Sequence, residues 1–85
     1  MPFYVYMLAC RDGTLYTGST TDLAARLAAH QSGRGSRYTR GRRPVRLAYC
    51  EELPTVSAAR RSEATLKRLP RSRKLALIAA QAERG

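Results

Sequence analysis

The chain has 85 residues, and its 16 Lys and Arg against 6 Asp and Glu give a formal net charge of +10. This length forms one small domain, residues 1–85, and excludes a second domain or a separate cofactor-binding half. A hydrophobic fraction of 44% is enough for a core and excludes wholesale disorder. The longest near-apolar run, Phe3–Cys10, is far shorter than the roughly 20 residues that span a membrane, and a signal-peptide pattern is absent. We therefore expect a soluble, cytoplasmic protein.

The start of the chain predicts a β-hairpin. Phe3–Cys10 is rich in aromatic and β-branched residues and is largely apolar on both alternating faces, which is typical of a central strand covered on both sides. Arg11–Thr14 has Asp-Gly at its centre, a strong short-range signal for a hairpin turn. Leu15–Gly18 then returns as the second strand.

A helix and a basic loop follow the hairpin. The helix runs through Ser32, and Gly33 suits the position just after its end. It begins after a capping residue, for which the candidates are Thr20, Thr21 and Asp22. The segment Gly33–Arg43 contains three glycines and five arginines, so we expect it to be an irregular loop.

The rest of the chain predicts one strand and two helices. Val45–Cys50 alternates as a third strand, and a second helix begins at Pro54-Thr55 and runs to about Leu69. After a break at Pro70, a final helix presents one apolar face made of Leu75, Ile78, Ala79 and Ala82. The order ββαβαα predicts a small α/β (α+β) domain with helices packed on an antiparallel sheet.

The positive charge indicates a polyanionic partner. Fourteen of the 16 cations are Arg, whose planar fork matches a phosphate group. DNA, RNA, the ribosome and an anionic membrane surface all fit this charge, and charge alone does not choose among them.

Several kinds of site are excluded by the residue types present. His30 is the only histidine, which excludes a metal site built on two or three His ligands. Glu51 and Glu52 are adjacent in a strand and would point to opposite faces, so they make a poor chelate. Cys10 and Cys50 lack CxxC spacing, and we expect both to be small buried hydrophobes. Any chemistry must therefore use tyrosine, arginine, one histidine and at most one well-placed acid.

Glu63 is the acid whose position is unusual. On a helical wheel it falls between Val56, Ala59 and Leu66, within the apolar stripe of the second long helix. A carboxylate aimed at the protein needs a partner or an ion, since burying it alone is costly. The alternative is an ordinary ion pair with Lys67, four residues later, and position alone slightly favours that alternative.

Arg26 and His30 are also four residues apart, so they lie on one face of the first helix. The spacing is consistent with a site that both side chains share. Taken without other evidence, however, it is better explained by a surface helix with polar flanks. Three tyrosines lie on the paired strands, where tyrosine is common: Tyr4, Tyr6 and Tyr16. For any single one of them, core packing with the hydroxyl at the rim is the simpler interpretation.

Combined, these residues resemble the GIY-YIG nuclease superfamily. The chain contains two short motifs separated by nine residues, Tyr4-Val5-Tyr6 and Tyr16-Thr17-Gly18. This pair is similar to the paired motifs that give the family its name. Tyr4 replaces the first Gly and Thr17 replaces the second Ile. Arg26 and His30 follow at the family's helix spacing, and Glu63 falls where its metal-binding glutamate falls. The resemblance implies a three-stranded antiparallel sheet with the first strand central.

The resemblance also implies a reaction, the hydrolysis of a phosphodiester with one Mg²⁺ or Mn²⁺ ion. Glu63 would hold the metal, and Arg26 would clamp the scissile phosphate. Tyr6 would be the general base with His30 taking up its proton, and Tyr16 would orient the water or the phosphate. Arg26 and the metal would favour the phenolate form of Tyr6.

The implied partner is a nucleic acid, DNA rather than RNA, with no membrane partner and no small-molecule cofactor. The acid-free segment from Arg34 to Arg46 contains six arginines and is suited to phosphate contact. We expect the contacts to come from Tyr4, Arg34, Arg37, Tyr38, Arg40, Arg42, Arg43 and Lys67. Two alternatives stay open: a nucleic-acid-binding module of the same fold without catalysis, and a basic protein associated with RNA or the ribosome.

Overall fold

The computed structural model describes residues 2–84 and contains a three-stranded sheet with helices on both faces. The elements in chain order are β1 (Phe3–Cys10), β2 (Leu15–Thr20), α1 (Leu23–Gln31), α2 (Arg37–Arg40), β3 (Val45–Leu53), α3 (Val56–Arg68) and α4 (Arg71–Arg84). The strand order is β2-β1-β3, and both pairings are antiparallel. The predicted α+β class with the first strand central is confirmed. Three details differ: β2 continues past Gly18 to Thr20, the basic loop contains the helical turn α2, and β3 continues past Cys50 to Leu53.

The hairpin turn between β1 and β2 forms as the Asp-Gly pair predicts. Gly13 has φ +84°, a left-handed conformation that glycine adopts without steric cost. Asp12 Oδ1 accepts hydrogen bonds from the backbone N–H and the hydroxyl of Thr14, at 3.1 and 2.6 Å. The Arg42 guanidinium also binds Asp12 Oδ2 at 3.0 Å, which ties the turn to the basic loop.

The central strand β1 contributes side chains to two separate cores, as an apolar pattern on both faces predicts. On one face Val5 and Met7 are fully buried against α3, together with Tyr49, Ala59 and Leu66. On the other face lie Tyr6, Leu8, Cys10 and Val45, covered by Tyr16, Leu23 and Leu27. Both cysteines are free thiols. Cys10 is buried as predicted, whereas Cys50 on the outer strand β3 is only half-buried.

An irregularity in β3 moves its side chains from one face to the other. Met7 pairs with Tyr49, but the next residue, Leu8, pairs with Leu47, so Ala48 is an extra residue in β3. Simple alternation would place Val45, Leu47 and Tyr49 on one face of the sheet. Because of the bulge, Val45 packs in the α1-side core while Tyr49 packs in the α3-side core.

Two glutamine side chains bind the outer edge of β3. Gln81 Oε1 accepts from the Cys50 backbone N–H at 3.0 Å, and Gln81 Nε2 donates to the Cys50 carbonyl at 2.6 Å. Gln31 makes the same pair of contacts with the backbone of Val45. Each amide therefore satisfies one N–H and one C=O of an edge strand, which would otherwise be open to pairing with another chain.

The helices begin where the capping residues predict. Asp22 is the N-cap of α1 and accepts from the Ala25 backbone N–H at 3.0 Å, and Gly33 follows the helix with φ +87°. Thr55 caps α3 in the same way through the Ala58 N–H, at 3.1 Å.

The predicted apolar face of α4 is confirmed for Ile78, which packs against the core, and is wrong for its other three residues. Leu75 is 43% exposed, and Ala79 and Ala82 are exposed as well. The side that packs on the sheet is instead made of Lys74, Leu77, Ile78 and Gln81, a stripe shifted by one residue. The shift arises because the Gln81 amide binds the edge of β3, and Leu77 and Ile78 reach the core beside it. Among residues 2–84, none of the helices has the length and apolar character needed to cross a membrane.

Candidate active site

The Tyr6 side chain lies across the edge strand β2 at Gly18, the residue with which Tyr6 pairs. A Cβ atom added to Gly18 would stand 2.6 Å from Tyr6 Oη and 2.8 Å from Cζ. Only a glycine leaves room for the phenol at this position, which explains why the second motif ends in Gly18. Tyr6 is 1% exposed, so its hydroxyl belongs to the interior and not to the rim.

The Tyr6 hydroxyl is hydrogen-bonded to His30 Nε2 at 2.9 Å. His30 lies in the last turn of α1 and is completely buried. The interpretation of α1 as a surface helix is therefore wrong for His30, although Arg26 one turn earlier is exposed. The second imidazole nitrogen, Nδ1, is 2.8 Å from the hydroxyl of Thr39 in α2.

Burial controls the pKa values of this pair. It raises the pKa of Tyr6 to about 12, with a further contribution from Tyr16, and the adjacent Arg26 guanidinium lowers it only in part. Burial also lowers the pKa of His30, and the charge of Arg26 acts in the same direction. Arg26 therefore lowers the pKa of Tyr6, as expected, but burial has the larger effect and the pKa is raised overall. At neutral pH Tyr6 and His30 form a hydrogen-bonded pair of neutral groups.

An aromatic cluster extends from this pair toward the surface. The Tyr16 ring lies 5.1 Å from His30, 6.5 Å from Tyr6 and 5.7 Å from Tyr38, measured between ring centroids. Tyr38 is 38% exposed, and the Arg42 guanidinium lies 4.1 Å from the centroid of its ring. Tyr16 therefore stands between the buried pair and a surface aromatic that carries a cation.

Glu63 is fixed by two partners on either side of its carboxylate. Ser19 Oγ of β2 donates to Oε1 at 2.7 Å, and Lys67 Nζ lies 2.9 Å from Oε2. The predicted ion pair with Lys67 exists, and the carboxylate also meets the sheet through Ser19, so its need for a partner is met within the protein. The predicted apolar stripe around it is shorter than expected, because Val56 is 46% exposed while Ala59 and Leu66 are buried. Partial burial would raise the pKa of Glu63, but the hydrogen bonds from Lys67 and Ser19 hold it below its usual value. The Glu63 charge in turn helps to raise the pKa of Tyr6, so the two groups are close enough to interact.

The donor set around Glu63 fits one hard divalent cation. Within residues 2–84, no cluster of three or more His, Cys, Asp or Glu side chains could hold a metal. The protein would therefore supply the Glu63 carboxylate and leave the other positions to water and phosphate oxygens, an arrangement that suits Mg²⁺. The carboxylate is ionised and its side chain is 22% exposed, so a cation that displaces Lys67 can reach it.

The predicted nucleic-acid contacts lie on the surface but several have structural partners. Arg40 donates to the Gly33 carbonyl and Arg43 to the Arg40 and Gln31 carbonyls, so these guanidinium groups brace the loop. Arg34 binds the Ser32 hydroxyl at 2.9 Å. Each guanidinium has five N–H donors, so bracing leaves donors for phosphate. Arg42 and Lys67 also have partners, in Asp12 and Glu63 respectively. The remaining predicted contacts are the exposed Arg37 and Tyr38 and the half-buried Tyr4, which lies beside an open groove of about 490 Å³.

Sequence reasoning missed two residues that the fold brings to the site. Ser19 follows the second motif directly, but its partner Glu63 is 44 residues away. Thr39 looks like an ordinary loop residue between arginines, yet it is completely buried on His30. No local pattern identifies either contact, because both depend on how distant segments close over the sheet.

The β2-β1-β3 sheet, with the two tyrosine motifs on its hairpin, is the framework of a GIY-YIG domain. The family model for the GIY-YIG catalytic domain matches residues 2–76, and the chain belongs to this nuclease superfamily.

Small single-domain relatives match this chain over nearly its whole length. A UPF0213 protein of Streptococcus sanguinis (strain SK36) is 55% identical over 75 residues, which cover 88% of this chain and 86% of the relative. A UPF0213 protein of Xanthomonas axonopodis pv. citri (strain 306) is 48% identical over 80 residues, covering 94% and 78%. The solution NMR structure of a UPF0213 protein from Bacillus halodurans is 45% identical, with a TM-score of 0.62, and covers 94% of this chain and 85% of that one. These names state no substrate.

Proposed function

We propose that this protein is a divalent-metal-dependent endonuclease that hydrolyses phosphodiester bonds in DNA. The observation that carries the proposal is the buried Tyr6–His30 pair, which lies beside Arg26 and close to the ionised Glu63. Membership of the GIY-YIG superfamily supports a nuclease. The choice of DNA over RNA, the metal and the role of each residue are part of the proposal.

The pair can act as a general base without an ionised tyrosine. With a pKa of about 12, Tyr6 is neutral near pH 7, and in the proposed mechanism its O–H donates to an unprotonated Nε2 of His30, 2.9 Å away. As Tyr6 Oη takes a proton from the attacking water, the original phenol proton passes to His30 Nε2. The water oxygen forms its bond to phosphorus, the bond to the leaving oxygen breaks, and that oxygen is protonated from solvent. The tyrosine ends neutral and the histidine carries the proton.

Arg26 and Tyr16 are proposed to position the substrate. The exposed Arg26 guanidinium lies near Tyr6 Oη, where it can bind a non-bridging phosphate oxygen and stabilise the charge that develops there. Tyr16 packs against the His30 ring and orients the water or the phosphate beside it.

Glu63 is proposed to hold the metal, Mg²⁺ or Mn²⁺. The bound ion would supply charge neutralisation at the leaving oxygen. Ser19 keeps the carboxylate in place through its hydrogen bond to Oε1, and Lys67 balances the carboxylate charge in the absence of the ion.

The nucleic-acid backbone is proposed to lie on the basic surface that borders this site. Its contacts would be the predicted set, which combines exposed arginines with Tyr38 and Lys67. Arginine and aromatic side chains together suit phosphates and bases in one groove.

The direct test is cleavage of plasmid, single-stranded and branched DNA, with RNA in parallel, in Mg²⁺ or Mn²⁺ and in excess EDTA. We expect metal-dependent DNA products from the wild-type chain and from Glu83→Gln, a matched change of an exposed glutamate on α4. Glu63→Gln should lose both the metal dependence and the activity. Equal cleavage by Glu63→Gln, or unchanged cleavage in EDTA, would overturn the metal mechanism.

A second candidate is a nucleic-acid-binding module of the same fold that does not cut. The observation that favours it is the Lys67–Glu63 ion pair, because the ammonium group already neutralises the proposed metal ligand. This alternative predicts DNA binding that weakens steeply with salt and no product with any metal.

A further inference from the structure

Thr39 connects the buried His30 to the basic loop. Its hydroxyl lies 2.8 Å from His30 Nδ1 and 3.0 Å from Ser36 Oγ, and the residue is completely buried. It lies in α2, a single helical turn whose N-cap is Ser36. The contact accounts for this short helix within a segment that is otherwise irregular.

Each hydroxyl bonded to His30 can donate or accept, so the two bonds by themselves fit either neutral tautomer. The burial of Tyr6 favours one of them: within residues 2–84 the Tyr6 hydroxyl has no acceptor other than His30 Nε2, so its proton is satisfied only if Nε2 accepts it and the imidazole proton lies on Nδ1. Nδ1–H then donates to Thr39 Oγ1, and Thr39 donates onward to the Ser36 hydroxyl or carbonyl oxygen. Ser36 Oγ also accepts the Thr39 backbone N–H at 3.1 Å, which fixes its lone pairs toward Thr39.

Gly35 closes the site over the imidazole. A Cβ atom at Gly35 would stand 2.2 Å from His30 Nδ1, so the backbone of the loop lies directly against the ring. Such close contact leaves no space for water beside Nδ1. Within residues 2–84, Thr39 is the hydrogen-bond partner that Nδ1 has.

We propose that Thr39 is a positioning residue that holds His30 in its Nδ1–H tautomer, so that Nε2 remains free to accept the proton of Tyr6. Thr39 acts through His30 and does not touch the reacting atoms. A carboxylate in the place of Thr39 would stabilise the protonated, positively charged form of His30. The Thr39 hydroxyl is neutral, so it orients the imidazole ring without that stabilisation. The histidine can therefore accept a proton and release it again. The expected effect of Thr39 on cleavage rests on the proposed nuclease function, whereas its effect on the tautomer of His30 does not.

The test is imidazole ¹⁵N NMR, in which His30 gives an unambiguous signal because it is the only histidine of the chain. Spectra are recorded at pH 7.5 for the wild-type chain, Thr39→Ser and the isosteric Thr39→Val. We expect the Nδ1–H tautomer in the wild-type chain and in Thr39→Ser, and a mixture of tautomers in Thr39→Val. An Nε2–H tautomer in the wild-type chain overturns the proposal, and this result needs no folded variant. A pure Nδ1–H tautomer in Thr39→Val overturns it as well.

The kinetic consequence is measured separately on the substrate that the wild-type chain cleaves. Thr39→Val should lower kcat by about tenfold or more with little change in KM, and Thr39→Ser should restore most of the rate. A rise in KM alone would mean that Thr39 shapes the binding surface and would overturn the positioning role. Failure of the wild-type chain to cleave any nucleic acid would overturn the proposed function and leave the NMR result intact.

Discussion

The Tyr6 phenol occupies the space that a side chain at position 18 would need, with Oη 2.6 Å from the Cβ position of Gly18. Gly18→Ala must therefore displace the tyrosine from His30. We expect the His30 imidazole resonances to shift and cleavage to fall at least about tenfold, since a small misplacement of a catalytic group has a large effect on rate. Gly41→Ala is the matched control, because nothing lies within 4 Å of its added Cβ. Its His30 resonances should stay at their wild-type positions.

Removing the Tyr6 hydroxyl isolates its chemical role from its packing role. Tyr6→Phe keeps the ring in the core but leaves His30 Nε2 without its partner, at a cost of about 1–3 kcal/mol in unfolding free energy. We expect the cleavage rate to fall by about 10²–10⁴, the usual contribution of a general base. The control is Tyr49→Phe, because burial also raises the pKa of Tyr49 to about 12, but Tyr49 lies in the opposite core. Equal loss in both variants would show that the effect is one of stability.

The buried His30 makes stability depend on pH. Because burial lowers its pKa in the folded chain, the unfolded chain binds a proton near pH 6.5 that the folded chain excludes. The free energy of unfolding is therefore highest above pH 6.5, where His30 is neutral in both states. It decreases as the pH falls from 6.5 through the lowered pKa of the folded chain, by at most about 1.4 kcal/mol per pH unit. Urea unfolding between pH 7.5 and 5.5 measures it. An NMR titration midpoint for His30 above 6.5 would contradict the prediction.

If Glu63 holds the proposed metal ion, Lys67 must compete with that ion for the carboxylate. A cation that binds Oε2 must displace the ammonium group, which lies 2.9 Å away. Since an exposed pair of this kind is worth about 0.5–1 kcal/mol, we expect Lys67→Met to bind Mn²⁺ about two- to fivefold more tightly. Titration calorimetry measures the affinity, and Lys74→Met removes the same charge from α4 as a control. Equal gains in the two variants would attribute the effect to net charge and not to this ion pair.

The Gln81 amide protects the edge strand β3. Gln81→Glu loses the donor to the Cys50 carbonyl and places a carboxylate beside that oxygen. We expect a loss of about 1–3 kcal/mol in unfolding free energy, measured by urea denaturation, because a partly buried hydrogen bond is replaced by repulsion between two oxygen atoms. Glu83→Gln on the exposed side of the same helix should stay within about 0.5 kcal/mol of the wild-type chain.

The order and bounds of the elements could be predicted because their signals are local. An Asp-Gly turn, the caps Asp22 and Thr55, and the glycine after α1 each act on their own few residues. The exceptions are the helical turn α2, the later ends of β2 and β3, the bulge at Ala48 and the buried face of α4. Each of these depends on what packs or pairs with the element, and periodicity within one segment contains no information about that partner.

The candidate active site likewise has features that follow from local sequence and features that depend on tertiary contacts. The sequence by itself determined which residue types are available for catalysis and that Arg26 and His30 share a helix face, since helical spacing is a local property. Only the tertiary structure decided that His30 is buried while Arg26 stays exposed, because the loop that carries Gly35 and Thr39 closes over one residue and not the other. It also decided that Glu63 meets Ser19 across 44 residues. The net charge of +10 belongs to the sequence, and the neutral state of the Tyr6–His30 pair comes from burial.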